Sequence, residues 1–222
     1  MSQDRTYISQ TGTRALSVNK VLKNTYILLS LTLLFSAAMA GLSMMLGLPR
    51  PGLILMLVGW FGLLFLTEKF KNSSLGLVFA FAFTGFLGYC IGPIISYYLN
   101  VLPNGDQVVM SAMATTGLIF FGLSGYIIVT GKNMAFMGGM LFAGILTAFV
   151  LGLVAAIFSI PALSMAVSAV FALLMAGLIM YQTSEIIHGG ETNYISATIT
   201  LFVSIYNLFQ SLLMMFGIFG DE

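Results

Sequence analysis

Side chains able to carry charge or move a proton are scarce in this chain, and they gather in one place. Only 7% of the 222 residues are charged, yet the stretch Tyr181-Gln182-Thr183-Ser184-Glu185-Ile186-Ile187-His188-Gly189-Gly190-Glu191-Thr192-Asn193-Tyr194 holds the single histidine and two of the seven acidic residues. Glu185, His188 and Glu191 therefore make a candidate loop site. Glu185 and His188 stand three positions apart, the spacing of two metal ligands on one helix face, but a di-iron arrangement needs a matching second pair that is missing here. No further His or Cys accompanies His188 to complete a zinc site, so a solvated loop histidine is the simpler reading. Beyond this stretch, Ser196, Thr200, Ser204, Asn207 and Ser211 recur at helical spacing and stack on one face. Asn207 and Gln210 add amides that need partners when buried. Two readings of this seam stand side by side. Its hydroxyls can bond their own helix carbonyls and let neighbouring helices approach, or the seam can line a functional cavity.

The segment Gly122-Leu123-Ser124-Gly125 resembles the GxSG of rhomboid intramembrane proteases, with His188 as the only base on offer. A serine nucleophile needs its base within hydrogen-bond reach. A glycine–serine quartet is a weak signal in a chain with 24 glycines, and His188 is expected in a loop. A non-enzyme is the resulting expectation, with no catalytic, cofactor or metal residues. The lone Cys90 excludes an internal disulfide and a cysteine zinc cage. A net charge of +1 with no basic run gives no footprint for a nucleic acid.

The elements that must position these residues are membrane spans. With 59% hydrophobic residues and apolar runs of bilayer length, the chain is an all-α polytopic membrane protein. Residues 1–24 are polar and lack an apolar periodicity, which predicts a flexible tail ahead of one membrane domain over 25–222. The first apolar run, from Tyr26 to Leu48, spans about 23 residues, roughly 35 Å of helix, and suits an uncleaved anchor despite the peptidase-like Ala38-Met39-Ala40. Pro49-Arg50-Pro51-Gly52 breaks it. A second span runs from Leu53 to about Leu66, extensible to Phe70 if Lys69 and Lys71 snorkel, with Glu68 at a solvated helix end. The third, Leu75 to about Leu99, carries Gly85, Gly88 and Gly92 on one face for close packing, and then Pro93. Four more follow at about 107–130, 134–158, 162–184 and 195–219. The sixth has a small-residue seam of Ser168, Ala172 and Ala176. The last, polar-seamed helix is expected to be enclosed by the other six.

Seven crossings with a cytoplasmic N-terminus put Arg5, Arg14, Lys20, Lys23, Lys69, Lys71 and Lys132 inside and only Arg50 outside, as the positive-inside rule requires. Glu185, His188 and Glu191 then face the cytoplasm, and Asp221 and Glu222 end the chain outside. A re-entrant last helix is the alternative.

At Gly85-Phe86-Leu87-Gly88-Tyr89, and more clearly from Tyr181-Gln182-Thr183-Ser184 through His188-Gly189-Gly190-Glu191-Thr192-Asn193-Tyr194 to Leu208, the sequence resembles the Bax inhibitor family of membrane proteins. The likeness covers nearly the whole chain. It implies a seven-helix fold around the last helix, residence in the bacterial inner membrane, and either a calcium or proton leak or, in a bacterial branch, association with the FtsH membrane protease. Channel-like members pair two aspartates between the sixth and seventh helices. The matching positions here are Gln182 and Ser204, which do not titrate, so the acid-gated leak loses its switch and the protease-modulator reading leads. Gln182, Ser204, Asn207 and Gln210 remain a candidate polar core or gate.

Overall fold

A computed structural model describes the backbone of residues 2–219 and the side chains of residues 18–218. Met1 and residues 220–222 lie outside the described residues, so the expected external position of Asp221 and Glu222 falls there, as do the side chains of Arg5 and Arg14. The helices are α1 (Ser2–Met45), α2 (Leu53–Phe70), α3 (Ser74–Val101), α4 (Gly105–Thr130), α5 (Gly138–Ile157), α6 (Pro161–His188) and α7 (Tyr194–Phe219), with a single 3-10 turn at Ala135–Met137. All seven are long and apolar enough to cross a membrane.

Order and number match the sequence reading, and three ends move. Packing of α1 starts upstream of Tyr26, because Val21 and Leu22 lie against the core and Thr25 is buried, a helical spacing that reaches into the polar stretch. Helical backbone continues upstream to Ser2 without a break at residue 24. α2 takes the longer of its two expected forms, to Phe70. α6 runs past Ser184 to His188, because Ile186 is fully buried and nothing in Thr183 to His188 stops a helix.

Close approach of α1 and α3 sets the frame. A Cβ on Gly92 would lie 2.8 Å from the Ala40 carbonyl oxygen, and one on Gly88 would run into the Ser36 backbone. Gly88 and Gly92 thus face Ser36, Ala40 and Ser43 of α1, small residues one helical turn apart, while Gly85 meets the Phe35 ring. Pro93 sits inside α3 without ending it. Having no N–H, it leaves the Tyr89 carbonyl without its helical donor, and Ser43 Oγ donates to that carbonyl at 3.2 Å.

α7 packs against α1, α2, α3, α4 and α6, while α5 rests on α6. Phe202, Ile199, Leu201, Leu208 and Leu213 of α7 are buried in the common core. From Tyr194 to Gly217 no α7 residue is exposed. Along the bundle the charges separate. Lys20, Lys23, Lys69, Lys71 and Lys132 lie at the end where α2 meets α3, α4 meets α5 and α6 meets α7, and Arg50 is the only described basic residue at the other.

Candidate functional site

Glycines shape the α6–α7 connection. Gly189 adopts φ 75°, the left-handed conformation that glycine accepts without a steric penalty, and ends α6. The Gly190 N–H donates to the Glu185 carbonyl at 2.8 Å and the Gly189 N–H to the Ile186 carbonyl at 3.2 Å, which satisfies carbonyls the helix end leaves open. A Cβ on Gly190 would collide with the Glu185 carboxylate. This corrects the loop site expected from sequence. Glu185 and His188 belong to the last turns of α6, and only Glu191 lies in the loop. The His188 ring turns back along its own helix, its Nδ1 2.9 Å from the Ser184 carbonyl oxygen and 3.3 Å from Ser184 Oγ. Among the described residues, no third His, Cys, Asp or Glu joins Glu185 and His188 as a ligand set.

The loop is fastened instead to the α2–α3 turn. Asn193 Oδ1 accepts from the N–H groups of Ile195, at 2.9 Å, and Ser196, at 3.1 Å, which caps the start of α7. Its Nδ2 donates to the Lys71 carbonyl at 3.1 Å and to Asn72 Oδ1 at 2.8 Å. Ser196 Oγ donates to Glu68 Oε1 at 2.7 Å, and Lys71 Nζ donates to Glu68 Oε2 at 3.0 Å. Glu191 Oε1 accepts the Asn193 N–H at 2.7 Å. The Glu68 hydrogen bond, opposed by partial burial and helped by the charges of Glu68 and Glu191, raises the Lys71 ammonium above its ordinary value. Glu68, expected at a solvated helix end, thus bonds to α7 across the bundle. The α4–α5 connection joins the same end, where the Met134 N–H donates to Ser184 Oγ at 2.8 Å.

One to two turns inward lies a polar layer. Ser124 Oγ and Thr183 Oγ1 are buried and 3.3 Å apart, hydroxyl to hydroxyl, so the serine of the GxSG-like quartet faces a threonine. Thr198 Oγ1 donates to Tyr194 O, and also to Thr25 O of α1 at 3.2 Å. Of the four candidate core residues, Ser204 is fully buried and its Oγ donates to Thr200 O at 2.8 Å. Asn207 Nδ2 donates to Val203 O at 2.9 Å, and Gln210 is partly buried. Gln182 is 5% exposed, and its Nε2 has no hydrogen-bond partner. Thr25 Oγ1 and Tyr26 Oη are two further buried polar atoms without one. Gln182 and Ser204 are thus both buried on packed helices, and no hydrogen bond runs from the Gln182 amide nitrogen to Ser204.

Sequence reasoning missed the clasp made by Glu68, Lys71, Asn72, Asn193 and Ser196. Its one local signal was Asn193 immediately ahead of the last apolar run, the position of a helix N-cap.

Comparison with known proteins adds the relatives. Residues 18–221 match the family model described as inhibitor of apoptosis-promoting Bax1. The chain is 55% identical over 210 residues, 94% of each chain, to the protein named modulator of FtsH protease YccA of Escherichia coli K12. It is 53% identical over 205 residues to an uncharacterised protein of Pseudomonas aeruginosa, covering 92% of each chain. An uncharacterised membrane protein of Vibrio cholerae is 44% identical over 210 residues, 94% of each chain.

Proposed function

This chain belongs to the Bax inhibitor family of membrane proteins, and from that membership we propose that it modulates an FtsH-type protease in the bacterial inner membrane. The observation that carries the reading is its 55% identity, over 94% of both chains, with a protein named as such a modulator. The protein crosses the membrane seven times, with α7 held among α1, α2, α3, α4 and α6 and the clasped, lysine-bearing end in the cytoplasm. The basic bias toward that end supports the orientation. An ATP-driven protease grips a polypeptide end, and the polar sequence ahead of Val21 supplies one on the side where its motor works. A well-packed bundle then resists extraction and occupies the protease, so other membrane clients turn over more slowly. The protein works by binding rather than by catalysis. The relatives' names, modulator and inhibitor, support this.

Overexpression is expected to lengthen the half-lives of membrane clients, with the protease co-purifying in mild detergent. Unchanged half-lives and no co-purification would reject the reading. A reporter fused to the C-terminus is expected to signal from outside; a cytoplasmic signal would replace the seven-crossing orientation by a re-entrant α7. The calcium or proton leak predicts a different result, an acid-responsive cation flux in liposomes. Gln182 and Ser204 give it no titrating pair, and the flux is expected to lack a step due to them.

A further inference from the structure

The end of the bundle opposite the clasp holds a cleft of about 370 Å³ lined by Arg50, Pro93, Ile94, Tyr97 and Tyr98. It adjoins a second space of about 400 Å³ reaching Ser43, Ser96 and Asn100. Its geometry follows from Pro93. Ser43 of α1 is drawn to the Tyr89 carbonyl that the proline leaves open, and the Tyr89 hydroxyl donates to the Pro49 carbonyl at 2.9 Å. Together these bonds pin the end of α1 and the α1–α2 connection to α3, and Arg50 follows Pro49 directly. Arg50 lines both spaces, and the one ion pair among the described residues, Lys71 with Glu68, is at the other end of the bundle.

We propose that Arg50 and this cleft hold the phosphodiester headgroup of an anionic phospholipid. A guanidinium matches a phosphate through two parallel N–H donors, a geometry an ammonium does not provide. The cleft opens where α1 ends at Met45, α2 begins at Leu53 and α3 ends at Val101, the level of lipid headgroups. Tyr97 lies at this boundary, 60% exposed, as interfacial aromatics do. Leu48 and Val101, which line the adjoining space, are exposed and apolar, a surface suited to the acyl chains of the same lipid. A soluble anion would use the charge and leave that apolar surface uncovered, so the lipid is the occupant that fits both.

The test is a thermal shift of the full-length protein in a neutral detergent, titrated with dioctanoyl phosphatidylglycerol, dioctanoyl phosphatidylcholine or inorganic phosphate. Phosphatidylglycerol is expected to raise the melting temperature saturably, at concentrations at least tenfold below those at which phosphatidylcholine acts, with inorganic phosphate inert. Arg50→Gln is expected to weaken the response tenfold or more, and Arg50→Lys to fall between. Lys71→Gln, at the far end, leaves it unchanged. Should Arg50→Gln not fold, Tyr89→Phe keeps the guanidinium, frees the loop and is expected to weaken binding several-fold. Equal responses in wild type and Arg50→Gln, or in wild type and Tyr89→Phe where only that variant folds, would overturn the proposal. So would an equal effect of inorganic phosphate. Binding that emerges only in an Asp221→Asn, Glu222→Gln variant would also overturn it, since the chain's own carboxylates would then be the partners of Arg50.

Discussion

Replacing Asn193 with Ala removes two kinds of interaction at once, and the structure allows each to be weighed. Asn193 Oδ1 caps α7 by accepting from Ile195 and Ser196, and loss of an Asn cap costs about 1 kcal/mol. Its Nδ2 ties the loop to the Lys71 carbonyl and Asn72, two partly solvated hydrogen bonds at about 0.5–1 kcal/mol each. The sum is about 2–3 kcal/mol, which for a domain of this size lowers the melting temperature by about 4–12 °C. Scanning fluorimetry of the purified protein in mild detergent measures it. Asn193→Asp separates the contributions, because a carboxylate still accepts at the helix start, where the helix dipole favours it, but donates nothing to the α2–α3 turn. Its loss is expected to be about half that of the alanine variant. Thr192→Ala, at an exposed neighbour, is the control and is expected to stay within about 0.5 kcal/mol of wild type. A melting temperature for Asn193→Ala indistinguishable from that control would refute the clasp as a stabilising element.

Two further outcomes follow from the same geometry. Lys71 has a folded-state value above its ordinary 10.5, so its bond to Glu68 contributes fully below that ordinary value and is lost as pH rises through the higher folded one. Between pH 9 and pH 11.5 the wild type is expected to lose more melting temperature than Lys71→Met, and parallel curves would contradict this. Gln182→Leu removes a buried amide nitrogen that has no partner. Since such a group costs about 1–3 kcal/mol, the variant is expected to be at least as stable as wild type in the same scan, and a clear loss of stability would show that the amide is bonded in the folded protein.

The spans were legible because bilayer length is written into runs of apolar residues, and the α3 glycines because spacing alone puts Gly85, Gly88 and Gly92 on one face. The end of α6 was harder to read. His188-Gly189-Gly190 reads as a turn, and the glycines do make one, but a stop at Ser184 overlooked Ile186, an apolar residue one turn below Thr183 that the core takes in completely. Glu68 was hidden for a different reason. A carboxylate between a helix end and two lysines looks solvated, and its partner Ser196 is 128 positions away. No local pattern carries a contact of that range. The α1–α3 crossing shows the complementary case, in which Pro93 announces a missing donor but not that Ser43 will serve the freed carbonyl.

The α7 seam posed a choice between packing and cavity, and its hydrogen bonds favour packing. Thr198, Thr200, Ser204 and Asn207 each donate to the carbonyl four residues earlier, so their polarity is largely spent within the helix. Among the described residues, the buried polar atoms left unspent are Thr25 Oγ1 and Tyr26 Oη on α1 and Gln182 Nε2 on α6, with Asn104 Oδ1 in the turn between α3 and α4. Buried groups of this kind call for water or a conformational partner. The polar demand inside the bundle therefore comes from the surfaces that α1 and α6 present to its interior. Asn193 and Ser196 fix α7 at the clasped end, while at the other Gly217 lets it pass against the Tyr98 ring, which a Cβ there would strike. A helix fastened at one end by hydrogen bonds and fitted at the other by shape is a poor candidate for the moving part. If the interior hydrates during function, α1 and α6 are the elements that must shift.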